Sequence, residues 1–222
     1  MEYSKLIEEL YALRDEGFAL FQRRIVNPRA QKIIGVRTPI LRQLVKKYKG
    51  EYQTLLSFPD EYYEVTFIKL NAVALLPYQK FITVVGFCVQ SIENWAICDT
   101  FKARCIQKHR EEFLPYIYQF LRREEFEQRY ALVTLLSFYV EEKYLFVIFD
   151  CIKTANRMPY YTYMAAAWLL AEVLIKHYPA GVAFLKQNLL DKRTHNKAIQ
   201  KARESYRLSE EQKEALLALK QK

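Results

Sequence analysis

Along nearly the whole chain, apolar residues return every three or four positions, and nowhere do they alternate with polar ones over the length of a strand. That period gathers side chains on one face of an α-helix, whereas a strand would scatter them over both of its faces. Leu6, Ile7, Leu10 and Leu13 mark a first amphipathic helix ending near Gly17, and residues 18–25 a short second one. Thr38-Pro39 reads as an N-cap followed by proline at the first helical position, after which Leu41, Leu44, Val45 and Tyr48 keep helical spacing until Gly50. Further helices are predicted from Pro59-Asp60 to Pro77, over 78–90, around Trp95, and over 112–122, 124–140, 143–153, 159–177, 179–190 and 194–206. Ser209 with Gln212 forms a capping box for a last helix that carries Ala215, Leu216 and Leu219. Five glycines and seven prolines leave little material for a turn-rich β fold. The chain is predicted to be all-α.

The predicted helices are two to three times longer than their connections and fall into pairs, the pattern of an antiparallel helical solenoid. No linker interrupts them, so residues 1–222 are expected to form a single domain. Trp95 precedes Arg129 by 34 residues and Arg129 precedes Trp168 by 39, intervals typical of two-helix repeats. Stacked repeats carry equivalent positions along one concave surface. Trp95, Asp99, Arg129 and Trp168 are therefore expected to converge although they are distant in sequence.

Charge narrows the class of partner. The net charge is +9 and unevenly placed: between Gly17 and Gly50 there is no acid but nine cations, Arg23, Arg24, Arg29, Lys32, Arg37, Arg42, Lys46, Lys47 and Lys49. A second cluster, Lys186, Lys192, Arg193, Lys197, Lys201, Arg203 and Arg207, is opposed only by Asp191 and Glu204. Two basic ends suit a polyanion laid across the molecule; the plainer reading is a basic surface that aids solubility. Arg37 beside the Thr38 helix start could seat a phosphate on free backbone N–H groups. Four cysteines without a C-x-x-C pair and three histidines without H-E-x-x-H spacing give no basis for a zinc site, and no metal or other cofactor is expected. The thiols are expected to be buried and reduced. The N-terminus lacks the basic start and apolar run of a signal peptide, and no apolar run approaches the ~18 residues of a membrane span, so a cytoplasmic protein is expected.

One pairing carries chemistry. Trp95 and Asp99 are four residues apart in an apolar helical stretch, which stacks an indole and a carboxylate on one face. An electron-rich ring beside an anion can hold a cation that forms during a reaction. Taken alone, the pair reads as a core tryptophan and a solvated or ion-paired aspartate.

Five stretches in order, Gly35-Val36-Arg37-Thr38-Pro39-Ile40-Leu41-Arg42-Gln43-Leu44, the Trp95-x-x-x-Asp99 pair, Gln128-Arg129-Tyr130-Ala131, Ala165-Ala166-Ala167-Trp168 and Lys197-Ala198-Ile199 to Tyr206, resemble the AlkD-type DNA alkylation repair glycosylases. The resemblance implies a curved α-solenoid of HEAT-like antiparallel helix pairs around a concave DNA-binding surface, and excision of purines alkylated at N3 or N7. It implies a catalytic set of Trp95, Trp168, Asp99 and Arg129. Arg37, Thr38, Arg42, Lys192, Arg193, Lys197 and Lys201 are the expected DNA contacts, with double-stranded DNA carrying alkylated purines as the partner and a monomer as the working form. Ala96, Met164 and Ala167 stand where many members carry an acid, a lysine and a glycine. Two other classes stay open: a DNA-structure binder without catalysis, and a helical scaffold for proteins.

Overall fold

The computed structural model describes residues 1–155 and 159–222. It divides into two compact units, Met1–His109 and Arg110–Lys222. Among the described residues the regular structure is helical, with one isolated bridge, Lys32 to Tyr62, and no strand. The all-α expectation holds, and no described helix is long and apolar enough to cross a membrane.

The first unit contains α1 (Tyr3–Ala12), α2 (Glu16–Val26), α3 (Thr38–Tyr48), α4 (Tyr52–Leu56), α5 (Tyr63–Val73), α6 (Tyr78–Gln90) and α7 (Trp95–Thr100). Several of its boundaries correct the sequence reading. Helix α1 stops at Ala12 because the Asp15 carboxylate accepts from the Phe18 N–H at 2.8 Å and so starts α2 at Glu16, with Gly17 inside. Arg37, not Thr38, is the cap of α3: its carbonyl accepts from the Ile40 and Leu41 N–H groups, so Thr38 and Pro39 are the first two helical residues and no side chain caps that end. Gly50 does not end the helical run, since a 3-10 turn, Lys49–Glu51, leads into α4. The predicted face of α3 is buried as read, and Leu41, Leu44 and Val45 each contribute roughly 1.5–3 kcal/mol by leaving water.

Helix α5 is the centre of this unit. Every residue from Tyr63 to Leu70 is buried, Glu64 and Lys69 among them, so the helix shows no apolar stripe. It begins at Tyr63 and not at Pro59 because Asp60 turns its carboxylate back toward the helix, accepting from Thr66 Oγ1 and pairing with Lys69 Nζ, each at 2.7 Å. Lys69 Nζ also donates to the Phe58 carbonyl at 2.9 Å. Glu64 receives the backbone N–H groups of Ile34 at 3.1 Å, Gly35 at 2.7 Å and Val36 at 3.3 Å. Burial raises the Glu64 pKa, and these N–H bonds pull against it. Gly35 sits at φ +103°, and a Cβ there would lie 2.5 Å from Ala19 Cβ, so only glycine lets the strap reach Glu64. This strap leads directly into Arg37 and α3.

The second unit contains α8 (Arg110–Phe120), α9 (Glu125–Phe138), α10 (Leu145–Thr154), α11 (Tyr160–Lys176), α12 (Tyr178–Lys186), α13 (Lys192–Arg203) and α14 (Glu210–Ala218). Helices α9, α11 and α13 lie side by side, α10 packs on α9 and α11, and α12 packs on α11. The Tyr161 N–H donates to Glu125 Oε1 at 2.8 Å and Thr162 Oγ1 to Gln128 Oε1 at 3.0 Å, which sets the N-terminal ends of α9 and α11 together. Gly181 lets α12 close on α11, since a Cβ would come 2.8 Å from Leu174 Cδ2. Such a layer of like-directed helices, each followed by a helix on the other side, agrees with helix-pair repeats. The Ser209–Gln212 capping box forms as read, with bonds of 3.0 and 3.2 Å.

The four cysteines are free thiols. Cys88, Cys98 and Cys151 are buried, and burial pushes Cys88 and Cys151 up to about 12; Cys105 is half-buried, short of the burial expected.

Candidate functional site

In the first unit Trp95 opens α7 and Asp99 follows one turn later, both half-buried, while Ile97 and Cys98 between them turn into the core. Six residues are too few to hold a helix by themselves, because nucleation fixes several residues before any bond is returned. The structure supplies the missing order from outside. Asn94, 1 % exposed, accepts from the Ile97 N–H at 2.9 Å through its side chain and donates to Gln31 Oε1 at 3.3 Å. Gln31 Nε2 donates to Thr66 Oγ1 at 2.7 Å, and Thr66 in turn bonds Asp60. A continuous polar chain thus links the start of α7 to the central helix. Glu93 adds a second tie, accepting from the Gln31 N–H at 2.7 Å and the Ala30 N–H at 3.2 Å. The Trp95 ring is oriented by its Nε1–H, which donates to the Ile25 carbonyl at 3.2 Å.

Three cations of the acid-free segment pair with acids from elsewhere in the unit. Arg37 donates through Nε to Asp15 at 2.8 Å, forms an ion pair with it at 2.7 Å and lies over Phe18 at 5.4 Å. The Asp15 carboxyl is held below its usual range by the Phe18 N–H and then by Arg37. Lys32 pairs with Glu61 and Lys47 with Glu9, each at 2.7 Å. Arg24, Arg42, Lys46 and Lys49 stay exposed and have no ion-pair partner among the described residues. Thr38 is half-buried at the start of α3. Of the three candidate contacts here, Arg42 is the cation open to a ligand, while Arg37 must exchange Asp15 for one.

In the second unit Arg129 lies on α9 and Trp168 on the neighbouring α11. Arg129 is only 6 % exposed; its guanidinium donates to the Tyr161 carbonyl at 3.0 Å and lies 6.0 Å from that tyrosine's ring centre. It ties α9 to the first turn of α11. Trp168 is half-buried and lines a recess of about 250 Å³ with Glu172, Lys201, Glu204 and Arg207. Arg207 forks onto Glu172 at 2.9 and 3.3 Å, and Lys176 joins the same carboxylate at 3.2 Å. The recess therefore sets two carboxylates against two cations beside an indole. Sequence reading did not single out Glu172, although it repeats the Trp95/Asp99 spacing one turn after Trp168.

The four basic candidates of α13 are all on the surface side of the helix. Lys192 is exposed without an ion-pair partner among the described residues, Lys201 lines the Trp168 recess, Lys197 donates to Gln200 Oε1 at 3.1 Å, and Arg193 lies over the Tyr163 ring at 4.2 Å. Asp191 starts this helix by accepting from the Thr194 N–H at 3.1 Å, two residues earlier than the predicted boundary.

A comparison with curated proteins finds no match. A family model described as DNA alkylation repair enzyme matches residues 6–207, from α1 to just beyond α13, and so takes in every residue described above from Asp15 to Arg207. With that match over most of its length, the chain belongs to the DNA alkylation repair enzyme family, and its work is DNA repair.

Proposed function

We propose that the protein is a DNA glycosylase that hydrolyses the N-glycosidic bond of cationic N3- and N7-alkylated purines, such as 3-methyladenine and 7-methylguanine, in duplex DNA, and that residues 1–222 act as one domain. The observation that carries this reading is the Trp95–Asp99 pair on a short helix fixed by Asn94, in a chain of this family. Alkylation at N3 or N7 leaves the purine positively charged and already a good leaving group, so the bond to the sugar breaks with little acid catalysis. Charge then develops on the sugar. Asp99 stabilises that oxocarbenium character and orients a water toward the anomeric carbon; water adds there, its proton is released, and the neutral purine departs. Trp95 and Trp168 meet the cationic base with their ring faces, a contact of roughly 1–2 kcal/mol each when water is excluded. Arg129 grips a phosphate beside the lesion through its planar fork.

The direct test is single-turnover release of free 7-methylguanine from methylated duplex DNA. Release by the purified protein supports the proposal. Tight lesion-DNA binding without release would replace it with a DNA-structure binder, and a protein scaffold would show little salt-sensitive affinity for DNA.

Binding should also report the open cations. If Arg42, Lys192, Lys201 and their neighbours neutralise phosphates, log K should fall with log salt at a slope of roughly −0.9 for each phosphate contacted. Affinity unchanged between low and moderate salt would contradict a phosphate-binding surface.

For Arg129 two losses should appear together. Arg129→Ala removes the phosphate grip and also the tie from α9 to the Tyr161 carbonyl, so lesion excision should fall at least about tenfold and stability should drop by roughly 1.5–3 kcal/mol, the worth of one hydrogen bond from a charged donor. Arg129→Lys should restore only part, because an ammonium lacks the fork. Wild-type excision in the alanine variant would remove Arg129 from the site.

A further inference from the structure

Helices α11 and α13 leave a second recess, nearer their N-terminal ends than Trp168 and with a volume of about 260 Å³. Its chemistry differs from that of the first. Lys197, Lys220 and Arg193 line it together with Tyr160, Tyr163 and Gln200, and no carboxylate is among its lining residues. Where the Trp168 recess balances two acids against two bases, the charged side chains lining this one are all cations. Tyr160 is 57 % exposed, and it meets Tyr161 and Tyr163 edge-on with ring centres 5.1 and 5.5 Å away, which fixes its plane. The Arg193 guanidinium lies 4.2 Å from the Tyr163 ring centre, so a flat cation is already held beside the open ring.

We propose that this recess binds one unpaired nucleotide, its base stacked on Tyr160 and its phosphate held by Lys197, Lys220 and Arg193. This rests on the reading of α13 as a nucleic-acid-binding helix, but it does not require the glycosylase chemistry. Positive side chains beside an exposed ring are how single strands are held without regard to sequence, since every base offers a face. The volume is below the ~300–1,000 Å³ of most ligand pockets, which limits the occupant to about one nucleotide. An acidic peptide would answer the cations but leave the Tyr160 ring with no planar partner.

The experiment uses the full-length protein and fluorescein-labelled single-stranded (dT)8, measured beside excision of 7-methylguanine from duplex DNA. Tyr160→Ala should weaken (dT)8 binding roughly 5–100-fold, the effect of one lost base stack. Tyr160→Phe should keep it within twofold of wild type, and Lys220→Gln should weaken it and flatten its salt dependence. Duplex excision should stay within twofold in all three variants. A Tyr160→Ala protein that binds (dT)8 as wild type does would overturn the proposal, as would displacement of (dT)8 by polyglutamate at equal charge concentration. If the wild type releases no base yet binds (dT)8 in a Tyr160-dependent way, the glycosylase reading fails and this site stands.

Discussion

Asp99→Asn is expected to slow release of 7-methylguanine from duplex DNA by roughly 10²–10³-fold, the usual cost of removing an electrostatic partner of a charged transition state. Size and most hydrogen bonding are kept, so affinity for the DNA should remain near wild type or rise slightly as repulsion with phosphate disappears. Melting temperature separates this role from a structural one. Asp99 is half-buried on α7, and the start of that helix is held by Asn94, Gln31 and Glu93. If the asparagine variant melts lower and loses binding and excision in parallel, Asp99 is a structural residue. If excision is unchanged, the catalytic role is excluded.

The second large effect concerns stability. Glu64→Ala removes the acceptor of three buried N–H groups, those of Ile34, Gly35 and Val36, and each group left unsatisfied costs about 1–3 kcal/mol. A loss of roughly 3 kcal/mol or more is expected from the urea midpoint at constant slope. The pH dependence has a definite sign. Burial raises the folded pKa of Glu64 above its unfolded value, so the folded state holds this proton more tightly. The stability linked to that proton is fully present below about pH 4.3, the ordinary glutamate value, and is lost as pH rises through the folded pKa. The gap between wild type and Glu64→Ala should therefore be widest in mild acid and narrow toward neutral pH. A variant within 1 kcal/mol of wild type at every pH would show that water takes over the three N–H groups.

How far the sequence could be read depended on distance along the chain. Leu41, Leu44 and Val45 were legible because a helix repeats within four residues, and Ser209 with Gln212 because a capping box spans three. Arg37 looked like an open cation because its partner Asp15 is 22 residues away, outside any local window. Helix α5 was found from Val65, Ile68 and Ala72, yet nothing local marked Glu64 and Lys69 as buried, since a helix enclosed on all sides has no polar face to contrast with. For the candidate site, spacing picked out Trp95 and Asp99 on one helix turn. It could not show that Asn94 and Gln31 hold that turn, or that Arg129 is nearly enclosed, because those facts come from contacts 32 to 63 residues apart. Tyr160 and Tyr163 carried no signal in the sequence at all, because stacking surfaces have no spacing rule.

The Glu64 clasp also bears on the order in which the molecule can be made. A ribosome delivers the chain N-terminus first, at about 5–20 residues per second. When residues 34–36 emerge, the side chain that will receive their N–H groups lies 28 to 30 residues behind and is not yet outside the exit tunnel. Until α5 appears, the strap can satisfy its backbone only with water, and the α3 start that follows it has no fixed place to dock. The strap and the start of α3 behind it can therefore take their final place only after Glu64 has emerged.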